Sequence, residues 1–448
     1  MKLVVQPATR PLSGTITIPG DKSIGHRALL FSLLSRTPVT VRGLGDGADN
    51  GRSAKAITAL GARIEKPASG DHALVIHGVG LDGMTAPATR IDCGNSGTTI
   101  RLLCGLLAGQ QFPTTLFGDD SLSKRPMRRV IEPLMKMGAV ITGQGSGADV
   151  TPPLTVGPAR GRLTAIDYTL PMASAQVKTA ILLAALYADG MTIVTEPGPS
   201  RDHTERMLAY LGAPLRVDGR RTVIDTRGWH RKLAGSDFSV PSDPSSSAFL
   251  VAAALLVGAG EVRLPNICVN PTRTGFLDVI RNMGGSVAQE NLRTDGPEPI
   301  ADLVIRGPAP SLRGTEIAGD LAVRSIDELP ILAVIAARAA GTTIVRDAEE
   351  LKVKESDRIA ATCGLLTAFG VSCEARPDGF VVHGRPEGKL TAGSIHADGD
   401  HRLAMAAAIA SLVADGPGTI DDADQVATSF PGFVSALTTL GAAIETIR

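Results

Sequence analysis

One phrase is written six times in this chain. AITALGARI, PLMKMGAVI, MLAYLGAPL, VIRNMGGSV, LLTAFGVSC and ALTTLGAAI each pass from a short amphipathic helix pattern through a glycine into a β-type run. The marker glycines are Gly61, Gly138, Gly212, Gly284, Gly370 and Gly441, separated by 77, 74, 72, 86 and 71 residues. A glycine at that point serves a helix C-terminus, where the chain must enter the left-handed region before the strand. Repetition at a fixed period signals a repeated supersecondary unit. A second series interleaves with the first: HRALLFSLL, TTIRLLCGLL, QVKTAILLAALY, SAFLVAAALLV, LPILAVIAARAA and RLAMAAAIASLV. A helix apolar nearly all round is buried, so these are expected as interior helices. The unit reads strand, buried helix, strand, outer helix, strand, and six units of about 75 residues fill the chain. The expected fold class is α/β. A doubly wound sheet also alternates helix and strand, but it rarely repeats at this length with the same closing glycine.

The residues that open the buried helices are polar: DKSIGHR (21–27), CGNSGTTIR (93–101), PMASAQVK (171–178), SDPSSSA (242–248), RSIDELP (324–330) and DGDHR (398–402). A helix start offers free N–H groups and partial positive charge, and so attracts anions. Ordinary N-capping accounts for one Ser, Asp or Asn per helix. It does not account for Lys22 with Arg27, or for Asn95, Ser96, Gly97 and Thr98 with Arg101. If related units turn these starts toward a shared cleft, the cleft binds polyanions. Basic loops add to the set: GDDSLSKRPMRR (118–129), PSRDHTER (199–206) and ELKVKESDRIA (350–360).

Composition narrows the function. Lys plus Arg number 45 and Asp plus Glu number 45, so any anion site is a local concentration of charge. A nucleic-acid binder would show a basic excess, and 3% aromatic residues leave little for base stacking. Cys93, Cys104, Cys268, Cys363 and Cys373 form no CxxC or metal-type cluster and read as reduced, mostly buried thiols of a cytoplasmic protein. The first residues lack the apolar core of a secretory signal. The apolar run Phe249–Val257 is too short to span a bilayer.

GDKSIGHR, CGNSGTTIRLL, SLSKRPM, PMASAQVKTAILLA, IDELPILA, LKVKESDRIA, DHRLAMA and TSFP stand in the order found in the 5-enolpyruvylshikimate-3-phosphate synthase family, which the chain resembles nearly end to end. The resemblance implies a two-domain inside-out α/β barrel, the enolpyruvyl transferase fold, with six βαβαββ-like units, three per domain. Residues 21–240 would form one domain and residues 1–20 with 241–448 the other. The hinge crossings would lie near 19–21 and 240–243. The implied reaction moves the enolpyruvyl group of phosphoenolpyruvate to the 5-hydroxyl of shikimate 3-phosphate and releases phosphate. Two such substrates bring about six negative charges into one site, and cations must offset them.

By the same resemblance, Lys22, Ser23, Arg27, Ser174, Ala175, Gln176, Arg201, Asp327 and Lys354 bind shikimate 3-phosphate. Lys22, Asn95, Gly97, Thr98, Arg125, Gln176, Arg358 and Arg402 bind phosphoenolpyruvate. Asp327 is the base toward the 5-hydroxyl, Glu355 the acid toward C3, and Lys22 a second candidate for proton handling. Read as ordinary architecture instead, Asp327 is a helix cap and Glu355 a salt-bridge partner of Lys354 or Arg358. No cofactor or metal is called for. The implied protein is a cytoplasmic monomer, free of membrane and nucleic acid and open to the inhibitor glyphosate. Gly97 would leave room for that inhibitor where some relatives carry Ala. Gly25 replaces a serine common in the family, which is expected to loosen the first helix turn. Thr428 stands where one subgroup has Lys. Two other functions remain in view: enolpyruvyl transfer to UDP-N-acetylglucosamine, and a non-catalytic repeat scaffold.

Overall fold

A computed structural model describes residues 1–67, 73–145 and 150–447. All six marker glycines have left-handed backbone, with φ between 74° and 109°. Each follows an outer helix and precedes a strand, as the repeated phrase requires.

Among the described residues six four-stranded sheets result, and they share one topology. In each, the first two strands are parallel and the third runs antiparallel to the second. In one sheet Ile91–Asp92 pairs with Thr114–Phe117, then Thr151–Val156, then Ile141–Gln144. A parallel pair needs a crossover. Here the crossover is the apolar helix Gly97–Leu107, and the outer helix Arg128–Lys136 leads to the last hairpin. The other buried helices are Lys22–Leu33, Ala175–Ala185, Pro244–Val257, Leu329–Ala337 and His401–Leu412. Two sheets are completed from a distance. Phe238–Ser239 supplies the edge beside Val39–Arg42, and the N-terminal strand Lys2–Val5 lies between Gly418–Asp421 and Ile444–Ile447.

The chain divides into two compact units. One, here the central unit, contains Lys22–Val240 with Asp295–Glu298; the terminal unit contains Met1–Asp21, Pro241–Thr294 and Pro299–Arg448. Within each unit the buried helices pack on one another. In the central unit Gly105 permits a close crossing, because a Cβ there would stand 2.2 Å from the Ala180 carbonyl oxygen. In the terminal unit Phe249, Phe430 and Phe433 meet edge-on within one apolar core.

The helix expected over 329–340 ends at Ala337. Arg338 leaves the helix and donates to the carbonyls of Arg385 and Pro386 as the chain turns into Thr342–Val345.

Candidate active site

In the central unit, Lys22, Ser23 and Arg27 lie in the first turns of one buried helix. Lys22 Nζ is 3.0 Å from Asp49 Oδ2. Arg27 is 2% exposed. Its Nε donates to Thr204 Oγ1 and its Nη2 to Thr179 Oγ1, both at 2.8 Å, and its Nη1 to the Ser23 carbonyl at 2.9 Å. Arg201 Nη1 donates to Ser23 Oγ at 3.2 Å. Three other segments thus converge on the start of Lys22–Leu33.

A second knot joins the starts of Gly97–Leu107 and Ala175–Ala185. Ser96 caps the former by accepting from the Thr99 N–H. Gln176 Nε2 donates to Thr98 Oγ1 at 3.0 Å, and Arg101 Nη1 donates to Gln176 Oε1 at 2.8 Å. Arg125 Nη2 donates to Asn95 Oδ1 at 2.6 Å and to Ser121 Oγ at 3.3 Å, while Asn95 donates to Asp119 at 3.0 Å. Ser174 precedes the second helix as its N-cap residue, and Ala175 opens it. A Cβ at Gly97 would stand 2.6 Å from Arg101 Nη1 and 3.1 Å from Arg125 Nη1. A methyl there presses on the protein's own guanidinium groups.

In the terminal unit the charges pair differently. Arg358, 1% exposed, donates from Nε to Asp400 Oδ2 at 2.7 Å and from Nη2 to Asp400 Oδ1 at 3.1 Å, a fork-to-carboxylate clamp. The same Nη2 reaches Glu355 Oε2 at 2.7 Å, and Nη1 reaches Asp327 Oδ1 at 3.5 Å. Burial opposes the Arg358 charge, but Asp400, Glu355 and Asp327 outweigh it and raise its pKa. Burial pushes the Asp400 carboxyl up, and the Arg358 charge and hydrogen bonds more than reverse it. Asp327 also has Lys354 Nζ at 3.6 Å and Arg402 Nη2 at 3.9 Å. Arg402 Nη1 donates to the Asp327 carbonyl at 2.9 Å, and Lys354 is 3.2 Å from Glu350.

The structure therefore brings the expected residues together as two groups, one per unit. Asp327 is no helix cap: Glu328 holds that position and makes no side-chain cap bond. Glu355 does make the salt bridge to Arg358. Thr428 bonds Gln425 at 2.9 Å. The expectation for Gly25 needs correction. A Cβ there would lie 2.6 Å from Asn50 Nδ2 and 2.9 Å from Leu44 Cδ1, so the neighbouring side chains already fill the space a serine would take. The turn is closely packed.

Several supporting residues escaped the sequence reading. Arg273 is buried with Asp21, Asp243 and Ser245, and Asp243 also caps Pro244–Val257. Lys178, 1% exposed, lies 2.5 Å from Glu196 and 2.6 Å from Glu205. Burial would lower the Lys178 pKa, but these two carboxylates raise it. Glu196 also accepts from Ser200, next to Arg201. An apolar helix carrying a lone Lys is the one signal that marked Lys178. Among the described residues, no group of three or more His, Cys, Asp or Glu is placed to hold a metal ion. No described helix is long and apolar enough to cross a membrane.

A solved EPSP synthase structure from Acinetobacter baumannii superposes with a TM-score of 0.86 at 41% identity, covering 100% of both chains. The sixfold frame with its charged helix starts is thus the enolpyruvyl transferase fold. The 3-phosphoshikimate 1-carboxyvinyltransferase of Alkalilimnicola ehrlichii is 49% identical over 436 residues, 97% of this chain and 94% of that one. The enzyme of the same name from Geobacter sulfurreducens is 47% identical over 429 residues, 96% of each chain. Residues 7–437 match the family model for EPSP synthase (3-phosphoshikimate 1-carboxyvinyltransferase). The chain belongs to this family and is a transferase of the shikimate pathway.

Proposed function

We propose that the chain transfers the enolpyruvyl group of phosphoenolpyruvate to the 5-hydroxyl of shikimate 3-phosphate by dividing the work between its two residue groups. The observation that carries this reading is the difference in their bonding. Arg125 is oriented by a side-chain amide and a hydroxyl, which fix a guanidinium while leaving its charge for an anion. Arg358, Lys354 and Arg402 are interleaved with Asp327, Glu355 and Asp400, an arrangement suited to holding and moving protons.

In this reading Lys22, Ser23, Arg27, Ser174, Ala175, Gln176 and Arg201 hold shikimate 3-phosphate. Asn95, Gly97, Thr98, Arg125 and Gln176, with Lys22, Arg358 and Arg402, hold phosphoenolpyruvate. Glu355 delivers a proton to C3 of phosphoenolpyruvate, which makes C2 electrophilic. The 5-hydroxyl oxygen bonds to C2 and its proton passes to Asp327. The tetrahedral intermediate then loses a proton from C3 and expels phosphate, which restores the double bond. Lys354 steadies Asp327 beside the acceptor, and Lys22 is the alternative proton carrier. Arg358 has only Nη1 lightly engaged, so its main part is to set the positions of Glu355, Asp327 and Asp400.

The proposal extends to the domains, 21–240 against 1–20 with 241–448, and to a cytoplasmic monomer that engages neither membrane nor nucleic acid. Glyphosate is proposed as an inhibitor that competes with phosphoenolpyruvate, with Gly97 leaving it room. Phosphate release tests the activity. Release with phosphoenolpyruvate and shikimate 3-phosphate, and none with UDP-N-acetylglucosamine as acceptor, is the expected result; the reverse preference overturns the reading.

A further inference from the structure

The fifth repeat differs from the others where its outer helix meets the following strand. Seven residues before each marker glycine and three after it stand Ala54 and Ile64, Ile131 and Ile141, Glu205 and Leu215, Leu277 and Val287, and Val434 and Ile444. In the fifth repeat the same two positions carry Cys363 and Cys373. Cys363 lies within the helix Arg358–Ala368 and Cys373 in the strand Ser372–Arg376, on either side of Gly370. Their sulfurs are 2.6 Å apart. A disulfide bond is about 2.05 Å, so closing one needs a shift of little more than about half an ångström.

We propose that Cys363 and Cys373 are a modification site: a hydroperoxide oxidises them to an intramolecular disulfide that staples the Arg358-bearing helix to its strand. Cys363 is 8% exposed and Cys373 partly exposed, so a small oxidant reaches the pair. The Cys373 thiol bonds Cys363 and lowers its pKa, which favours the reactive thiolate. The Cys363 thiolate attacks one peroxide oxygen, the O–O bond breaks, and a sulfenic acid and water form after proton uptake. Cys373 then attacks the sulfenic sulfur and the second oxygen leaves as water. Two thiols and one hydrogen peroxide give one disulfide and two waters.

The remaining cysteines do not compete. Cys93, Cys104 and Cys268 are at most 1% exposed. Burial pushes the Cys104 thiol up to about 12 and raises the Cys93 thiol as well, so neither supplies thiolate at neutral pH. The pair lies one turn and more beyond Arg358 in its helix, and the sulfurs are already in contact, so the crosslink closes on the existing geometry.

The test treats the reduced protein briefly with hydrogen peroxide and digests it with trypsin. Ile359 to Lys389 is one tryptic peptide containing both cysteines, because Arg376 and Arg385 each precede a proline. The expected peptide is lighter by two hydrogens, three of the five thiols remain titratable after denaturation, and a thiol reductant restores all five. The thermal midpoint rises by several degrees, as expected when a short loop is closed, and turnover stays within about twofold of the reduced enzyme because little has to move. In Cys373→Ser the peptide gains oxygen at Cys363 and the midpoint does not rise. The proposal is overturned if the native peptide gains oxygen without losing hydrogens, if all five thiols survive, if the lost thiols map to Cys93, Cys104 or Cys268, or if turnover falls tenfold.

Discussion

The central and terminal units are built from the same repeat, yet Arg125 in one and Arg358 in the other are held by partners of different charge. In the central unit Arg125 is steered by Asn95 and Ser121. In the terminal unit Arg358 touches three carboxylates. Neutral partners orient a cation without cancelling it. Carboxylate partners cancel it and place acid and base groups within reach of one another. On the proposed function, one frame serves anion binding in one unit and proton transfer in the other by changing a few side chains at the helix mouths.

The sharpest way to break this contrast lies in the terminal unit. Asp327→Asn keeps the shape and removes the base, and kcat for phosphate release is expected to fall by about 10³-fold, within the range for a lost general base. Retention of turnover within tenfold would remove Asp327 from the mechanism. Arg358→Met is the next largest effect. It leaves Asp400, which has 0% exposure, without its clamp and should cost about 3–5 kcal/mol in denaturant unfolding, because a buried charge is left unpaired. The same clamp predicts a pH dependence. Arg358 holds the folded Asp400 pKa below its unfolded value. That contribution is therefore present above the ordinary Asp pKa of about 3.9 and is lost as pH falls further. Acid titration of stability should lose this component in Arg358→Met.

The central unit should respond in binding rather than in turnover. Arg125→Gln is expected to raise KM for phosphoenolpyruvate by about tenfold or more with kcat largely kept, the pattern of a lost uniform contact. Gly25→Ser should cost about 1–3 kcal/mol of stability by overpacking against Asn50 and Leu44, read from denaturant midpoints. The smallest effect is Gly97→Ala. Its methyl displaces the ends of two arginine side chains, so KM for phosphoenolpyruvate rises by about two- to fivefold, near 1 kcal/mol at most. Equal glyphosate inhibition of the native and Gly97→Ala forms would refute the steric account of that inhibitor.

The repeat was legible because it is local. Helix period, marker glycine and strand lie within a few residues of one another, and the backbone at Gly61 through Gly441 follows directly. The polar helix starts were legible for the same reason. What the sequence did not reveal is how those starts are tied together. Arg27 meets Thr204 at a separation of 177 residues, and Arg358 meets Asp400 at 42. Such pairs arise where helices from different repeats pack side by side, and periodicity says nothing about which side chains then meet. Asp400 stood in a recognisable motif but gave no sign that it would clamp Arg358. The end of the helix at Ala337 was missed because its apolar run continues past the point where Arg338 turns outward. Gly25 was misread because helix propensity counts the residue alone, whereas the space beside it belongs to Asn50.

The division between binding and proton transfer is tested most directly by titrating shikimate 3-phosphate into the Asp327→Asn enzyme in a calorimeter. The account predicts a Kd within about tenfold of the native value, the cost of one altered hydrogen bond, in an enzyme that barely turns over. Loss of binding as complete as the loss of turnover would contradict it.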